Sequence, residues 1–424
     1  MPQAARSFDR VACPFCALGC DDVRLAVSAD GFVTVDPQAC PHAIQGFGGP
    51  VGDATPRIDG QPATLDQAIA RAAAILGTAR APLIHGLACD LAGQRAAIEL
   101  GRRIGATVDH LHGAAINANL RALADGGWLA ASLAEIRNRA DLVVAIGDPT
   151  VAMPRFWQRC VWAGDTLTGI APEDRQVVLI GQNLEVAAAT APDGRKPAVI
   201  DVAPADLPAI VAALATLARG GRVFSDQVAG LPVATLRDLV TRLAASRYGV
   251  IAWSAGAMAF PHADLTIASL GELLRALNAK TRVVGLPVGG LDNALGAQLA
   301  SLWLAGKPPR LRFVAGEARH DAALYAADRL LGSGEADALL WIDALGRRAP
   351  PAGVPTIALA RPGTGFATPP AVLIPVGTPG LDHAGHVLRG DAIVALRLDR
   401  LRDSGLPAVA DVVERIGSLM QVAA

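Results

Sequence analysis

Four cysteines near the start of the chain carry the strongest chemical signal: Cys13, Cys16 and Cys20 in C-x2-C-x3-C spacing, then Cys40. Thiolates bind soft metals, and this spacing lets one tight loop reach three corners of an iron–sulfur cube while the distant cysteine closes the fourth. Gly19 supplies conformational freedom just before the third ligand. A zinc ribbon normally pairs two C-x2-C knuckles, so a [4Fe–4S] cluster stands here against two alternatives, structural zinc and an empty, vestigial site. Cys89 and Cys160 stand alone on apolar segments and read as core residues.

Other constellations carry less. His110-Leu111-His112 has the H-x-H spacing of amidohydrolase metal sites, where both imidazoles leave one strand on the same side. The further histidines and the barrel aspartate that such a site needs cannot be assembled from the rest of the chain. Asp382, His383 and His386 lie in a Gly-rich loop and read as groups satisfying backbone atoms. Ser254-Ala255-Gly256 lacks the preceding glycine of a nucleophile elbow. Phe156, Trp157 and Trp162 form the densest aromatic cluster in a chain with 4% aromatic residues, which fits either a core or a subunit contact.

The elements that must position these groups are set by composition and periodicity. With 38 Lys+Arg against 39 Asp+Glu the chain has no basic field, which excludes an electrostatically driven nucleic-acid binder. At 52% apolar and 18% charged residues over 424 positions, it has material for several buried cores. No apolar run reaches the roughly 20 residues of a bilayer crossing, and Met1–Arg10 has no apolar h-region, so the expectation is a cytoplasmic protein with no membrane partner. Six cysteines are too few for a disulfide-stapled fold.

Two short strands, Val23–Val27 and Gly31–Val35, belong to the cysteine segment, and a Gly/Pro-rich stretch from Phe47 to Pro56 follows as a linker. Beyond it, apolar strands and amphipathic helices alternate in three groups, the pattern of parallel α/β layers. Thr64-Leu65-Asp66-Gln67 opens a helix as a capping box. Ala140–Gly147 reads as a central strand, apolar on both faces.

The run Cys13-Pro14-Phe15-Cys16-Ala17-Leu18-Gly19-Cys20-Asp21-Asp22, followed by short strands and Cys40, resembles the N-terminal module of molybdopterin and tungstopterin oxidoreductases. More narrowly, the chain is similar to the B-type component of formylmethanofuran dehydrogenase. Ala134–Asp141, Gly147-Asp148-Pro149, Pro154-Arg155, Gly285–Asn293 and Gly363–Leu398 extend the likeness over nearly the whole length. The resemblance implies an α/β fold: a small iron–sulfur-type module over 1–55, and two doubly wound Rossmann-like domains. One of these, 136–289, is inserted in the other, 56–135 with 290–424.

In active members a cysteine or selenocysteine, in a Cys-His-Gly-Pro-like run before a helix with an Ala-Leu pair, ligates the metal held by two pterins. Setting that helix on Asn119–Leu123 places Ala115-Ile116-Asn117-Ala118 where the ligand belongs. Alanine cannot coordinate molybdenum or tungsten, and the adjacent histidine is Ile116. Cys40-Pro41-His42 also lacks the basic residue that relatives often put between cluster and pterin. The resemblance with that loss points to the version in the formyltransferase/hydrolase complex of methylotrophic bacteria. It implies a non-catalytic scaffold beside amidohydrolase-like, formyltransferase and C-type subunits, with a 4Fe–4S cluster on Cys13, Cys16, Cys20 and Cys40 and no molybdenum or tungsten bis-pterin. His110 and His112 then sit at the mouth of a former pterin cavity. The alternative is an active Mo/W-pterin formylmethanofuran dehydrogenase.

Overall fold

The computed structural model describes residues 6–351 and 353–422. They form two compact units. One holds the chain through Ala114, Gly290–Arg389 and the segment from Val394 onward; the other holds Ala115–Gly289 with Gly390–Ile393.

The first unit opens with an antiparallel sheet of β1 (Arg6–Val11), β2 (Val23–Val27) and β3 (Val33–Val35). In β2, Val23, Leu25 and Val27 are buried and Arg24 is exposed, the period-two pattern of a half-buried strand. Helix α1 (Pro41–Phe47) follows, with Pro41 in its first turn, where the missing N–H costs nothing. Helix α2 (Leu65–Thr78) starts on the expected capping box: Gln67 N–H donates to Thr64 Oγ1 and Thr64 N–H to Gln67 Oε1. Then come β4 (Pro82–Ala88), α3 (Leu91–Ile104) and β5 (Thr107–Val108).

Helix α4 (Gly113–Asp125) begins in the first unit and continues in the second. The inserted unit therefore starts at Ala115 and not at position 136. Ala115, Ala118 and Ala122 pack into the apolar cluster built by Ile146, Ile251 and Trp253, and this anchoring outweighs the helix's place in the sequence. The second unit is a five-stranded parallel sheet of β6 (Leu142–Ile146), β7 (Gln176–Ile180), β8 (Ala198–Ile200), β9 (Gly249–Trp253) and β10 (Val283–Pro287). Their order is β8-β7-β6-β9-β10, so the direction of winding reverses between β6 and β9, the doubly wound arrangement.

Back in the first unit, α5 (Ala294–Ala305) leads to a hairpin of β11 (Leu311–Val314) and β12 (Glu317–His320). Strands β13 (Ala338–Asp343), β14 (Thr356–Ala360) and β15 (Val372–Pro375) then join β4, and α6 (Val409–Val422) closes the chain. The nine-stranded sheet runs β12-β11-β5-β4-β13-β14-β15 and ends on the short pair Arg57–Ile58 and Gln61–Pro62. The strands β5 to β15 are parallel, while both margins are antiparallel. One face of this sheet is covered by helices in the order α5, α3, α6, α2 around Ile84, Ile98, Leu340, Leu359 and Val412. No helix of the described residues is long and apolar enough to cross a membrane.

Candidate functional site

The loop between β1 and β2 gathers the cysteines. Cys13, Cys16 and Cys20 are buried, and Cys40, half-buried, immediately precedes α1 without a side-chain capping bond. Cys13 N–H donates to the Cys20 carbonyl at 2.8 Å, which closes the loop, and Gly19 takes a positive φ of 63°. Burial, reinforced by the neighbouring Cys16, Cys20 and Cys40 sulfurs, pushes the Cys13 thiol well up; burial and Cys20 push Cys16 up to about 12. Against that push, the backbone N–H of Phe15 is directed at the Cys13 sulfur and those of Leu18 and Gly19 at the Cys16 sulfur. The loop is braced by Phe15, which meets Phe47 edge-on at 4.8 Å. Gly46 is required beneath it, since a Cβ there would fall 2.3 Å from the Phe15 ring. The buried Arg361 guanidinium stacks 5.6 Å from the Phe15 centroid and donates to the Gly46 carbonyl at 2.6 Å. Among the described residues no three His, Cys, Asp or Glu side chains converge on a point that holds a single metal ion.

A second constellation, at the C-terminal ends of the parallel strands of the same unit, is not legible as a group in the sequence. Asp292 accepts from His112 Nε2 at 2.8 Å and from both terminal nitrogens of Arg348 at 2.7 and 2.6 Å. Arg348 also spans to Asp343, at the end of β13, through Nε at 3.0 Å. Two carboxylates thus share one guanidinium, with the His112 imidazole hydrogen-bonded to the same Asp292. His112 and Arg348 hold the Asp292 carboxyl far below the usual carboxylate range despite its burial, and the two carboxylates raise Arg348.

His110 lies beneath. Its Nδ1 accepts the His112 backbone N–H at 3.0 Å, so the ring proton is on Nε2 and donates to the Asp292 carbonyl at 3.2 Å. Burial first, and His112 next, push His110 down to about 3, so it is neutral. The H-x-H pair is thus a hydrogen-bonded support for Asp292, one ring on its backbone carbonyl and the other on its carboxylate.

Asp292 and Asn293 both have positive φ, 60° and 55°, conformations that carboxylate and amide side chains tolerate best. Asn293 donates to the Cys89 carbonyl at 3.0 Å and to Gln94 Oε1 at 3.1 Å, which pins the strained turn to the core. Cys89 itself is buried in that core, its thiol raised by burial. The only local signal of this turn in the sequence is the Gly289-Gly290-Leu291-Asp292-Asn293 run; the partner His112 lies 180 residues away.

In the second unit, positions 115–118 form the opening of α4. Ile116 and Asn117 are buried, and Ala115 and Ala118 are partly buried against the apolar cluster. None of the six cysteines lies there. Phe156 and Trp157 are buried, Trp157 on a π-helical turn Trp157–Val161 that also buries Cys160, so these two are core, while Trp162 at the end of the turn is half-buried. Asp382 is buried and ion-paired with Arg402 at 2.7 Å, and it accepts from Thr378 N–H, the backbone-satisfying role read from its loop.

No family model matches the chain. The B-type component of the formyltransferase/hydrolase complex of Methylorubrum extorquens is 30% identical over 337 residues, 77% of this chain and 86% of that protein. The chain belongs to this B-type family. The likeness extends to the B-type component of the tungsten-containing formylmethanofuran dehydrogenase 2 of Methanococcus maripaludis, 24% identical over 96% of this chain and 98% of that protein. The corresponding protein of Methanocaldococcus jannaschii is 27% identical, covering 78% of each. Among solved structures, a chain of the Methylorubrum extorquens formyltransferase/hydrolase complex (FhcABCD), determined with methylofuran, superposes with a TM-score of 0.74 at 25% identity. It covers 87% of this chain and 99% of that one. The mixed α/β architecture is thus that of the B-type family.

Proposed function

We propose that this chain is the B-type subunit of a formyltransferase/hydrolase complex, where it frames the assembly and is not its redox centre. The setting is one-carbon metabolism linked to tetrahydromethanopterin and a methanofuran-like carrier, in which formaldehyde is oxidised to formate. The likeness to a subunit of a complex held with methylofuran supports that carrier. Its partners are amidohydrolase-like, formyltransferase and C-type subunits, and the transfer and hydrolysis belong to them.

One observation carries the reading: Ala115 occupies the position that the family resemblance gives to the metal-ligating thiolate. A methyl group has no donor electrons, and it leans on the apolar cluster of the second unit. The residues at 115–118 therefore do not fit molybdenum or tungsten on a bis-pterin. The cysteine loop is different. Four thiols, with N–H groups aimed at two of the sulfurs, fit an iron–sulfur cluster, whose cysteine ligands stand wider apart than the donors of a single ion. When bound, such a cluster supplies one-electron chemistry; in this reading its role is to pin the loop.

Co-expression with the three partner subunits, followed by native mass measurement and metal analysis, tests this. The expected result is a hetero-oligomer with iron and no molybdenum or tungsten. One equivalent of either heavy metal establishes the second reading, an active formylmethanofuran dehydrogenase, which the likeness to the two tungsten enzymes favours.

A further inference from the structure

The nine-stranded sheet of the first unit ends on β12, whose outer edge faces away from β11. A tight turn at Ala315 and Gly316, both with positive φ (50° and 79°), joins the two strands. Glu317 and Arg319, two residues apart, stand on one face of β12, and both are exposed. Directly across the hairpin Arg319 faces Arg312, a like charge that offers it no compensation. An open edge of four residues is short, yet it is not isolated. The helix layer over this sheet runs α5, α3, α6, α2, with α3 packed on β11 and α5 flanking α3 on the outer side of the layer. Its residues Leu299, Leu302 and Trp303, at helical spacing, form an apolar stripe left partly open, and Trp303 is 63% exposed.

We propose that β12 and α5 form a self-complementary surface through which two copies of this chain associate. A two-fold axis normal to the sheet and passing at Ala318 sets Glu317 of one copy opposite Arg319 of the other, and the same contact recurs on the far side of the axis. Each of these charges then meets its opposite, the sheet continues from one copy into the next, and the two α5 stripes cover each other. The E-x-R order makes the edge complementary to itself, which is why a second copy is the occupant and not an unrelated acidic or basic strand.

The purified chain is examined by analytical ultracentrifugation, where the expected result is a concentration-dependent dimer with a Kd on the order of 10 μM, weak because the surface is small. Glu317→Arg sets arginine opposite arginine in both contacts, and Arg319→Glu sets glutamate opposite glutamate. Each variant alone weakens the dimer about ten- to hundredfold. Mixing the two variants restores association, and so does the double exchange E317R/R319E, because its edge is again complementary to itself. Trp303→Ala weakens association without altering the charge pattern. A wild-type chain that stays monomeric at about 100 μM overturns the proposal. Single variants that dimerise as the wild type does, or a double exchange that fails to recover, overturn it equally; circular dichroism of each variant confirms that folding is intact.

Discussion

The polar edge of the first unit and the opening turns of α4 in the second treat their chemistry in opposite ways. At the first, buried thiols, Asp292, Asp343 and His110 are gathered with the partly exposed Cys40, Arg348 and His112, and backbone N–H groups are spent on sulfur. At the second, Ala115 and Ala118 pack on an apolar cluster beside the buried Ile116 and Asn117, and no thiol or charged group is among them. Gathering ionisable groups under cover costs free energy unless each is paired, whereas methyl packing is stable by itself. The first unit thus concentrates its polar chemistry in paired groups, whereas the opening of α4 is held chiefly by apolar packing.

That contrast is sharpest at Asp292. Replacing it by Ala leaves the buried side of Arg348 with Asp343 alone and deprives His112 of its acceptor. Because Arg348 is 41% exposed, the loss is discounted to about 2–3 kcal/mol, below that of a fully buried pair. Asp292→Asn keeps a side chain suited to the positive φ and isolates the charge effect. The depressed carboxyl stabilises the fold above the ordinary carboxylate range near pH 4, and that contribution is lost as the pH falls through its folded value. Chemical denaturation of the wild type and D292N at pH 7 and at about pH 3, below the ordinary carboxylate value, should show a difference that shrinks with acidification. An unchanged difference means that the carboxylate is not held by its partners, and the polar edge then resembles the α4 opening more than the contrast allows.

Gly46→Ala probes the cysteine loop without touching a thiol. The added methyl meets the Phe15 ring at 2.3 Å, and Phe15 is held between Phe47 and Arg361, so the ring has no free direction. The expected cost is about 1–3 kcal/mol, with weakened iron retention in the loaded protein. Iron per chain, measured with the thermal midpoint, checks both. Full retention at a lowered midpoint shows that the loop holds its group independently of its brace.

His110 gives a pH signature. Held to about 3 by burial, it stays neutral in the fold while the unfolded chain takes up its proton near 6.5. Stability contributed by the neutral ring is complete above about pH 6.5 and falls by up to about 1.4 kcal/mol per unit as the pH drops toward the folded value. His110→Gln, which keeps a donor for the Asp292 carbonyl, flattens that slope between pH 6.5 and 4. A slope that survives the substitution places the acid-labile group elsewhere.

These residues also mark what the chain discloses before it folds. The cysteine spacing, the Thr64 capping box and the all-apolar run of β6 are local patterns, each set by hydrogen-bond or ligand geometry within a few residues, and the box and the strand form where those patterns place them. The start of the inserted unit is not legible in the same way, because α4 has apolar residues suited to either unit and only packing against Ile146 and Ile251 decides between them. The His112–Asp292–Arg348 chain is hidden for a different reason. Its members sit on three segments brought together by sheet order, and no period in the sequence encodes a contact across such separations. Phe156 and Trp157 show the limit of aromatic clustering, which is equally dense in a core and at an interface.

The smallest expected effect tests the other side of the contrast. Ala115→Cys restores the donor type at the position where relatives are expected to hold metal. Because Ala115 is only partly buried at the helix start, a sulfur is accommodated at a cost of under about 1 kcal/mol. Expressed in a host that makes molybdenum and tungsten pterins, the variant should still contain neither metal, since Ile116 stands where the family resemblance puts a histidine and Ala115 and Ala118 pack against the apolar cluster. Elemental analysis of A115C beside the wild type measures this. A stoichiometric heavy metal in the variant alone would mean that the cavity survives intact and that one missing sulfur separates the frame from the enzyme.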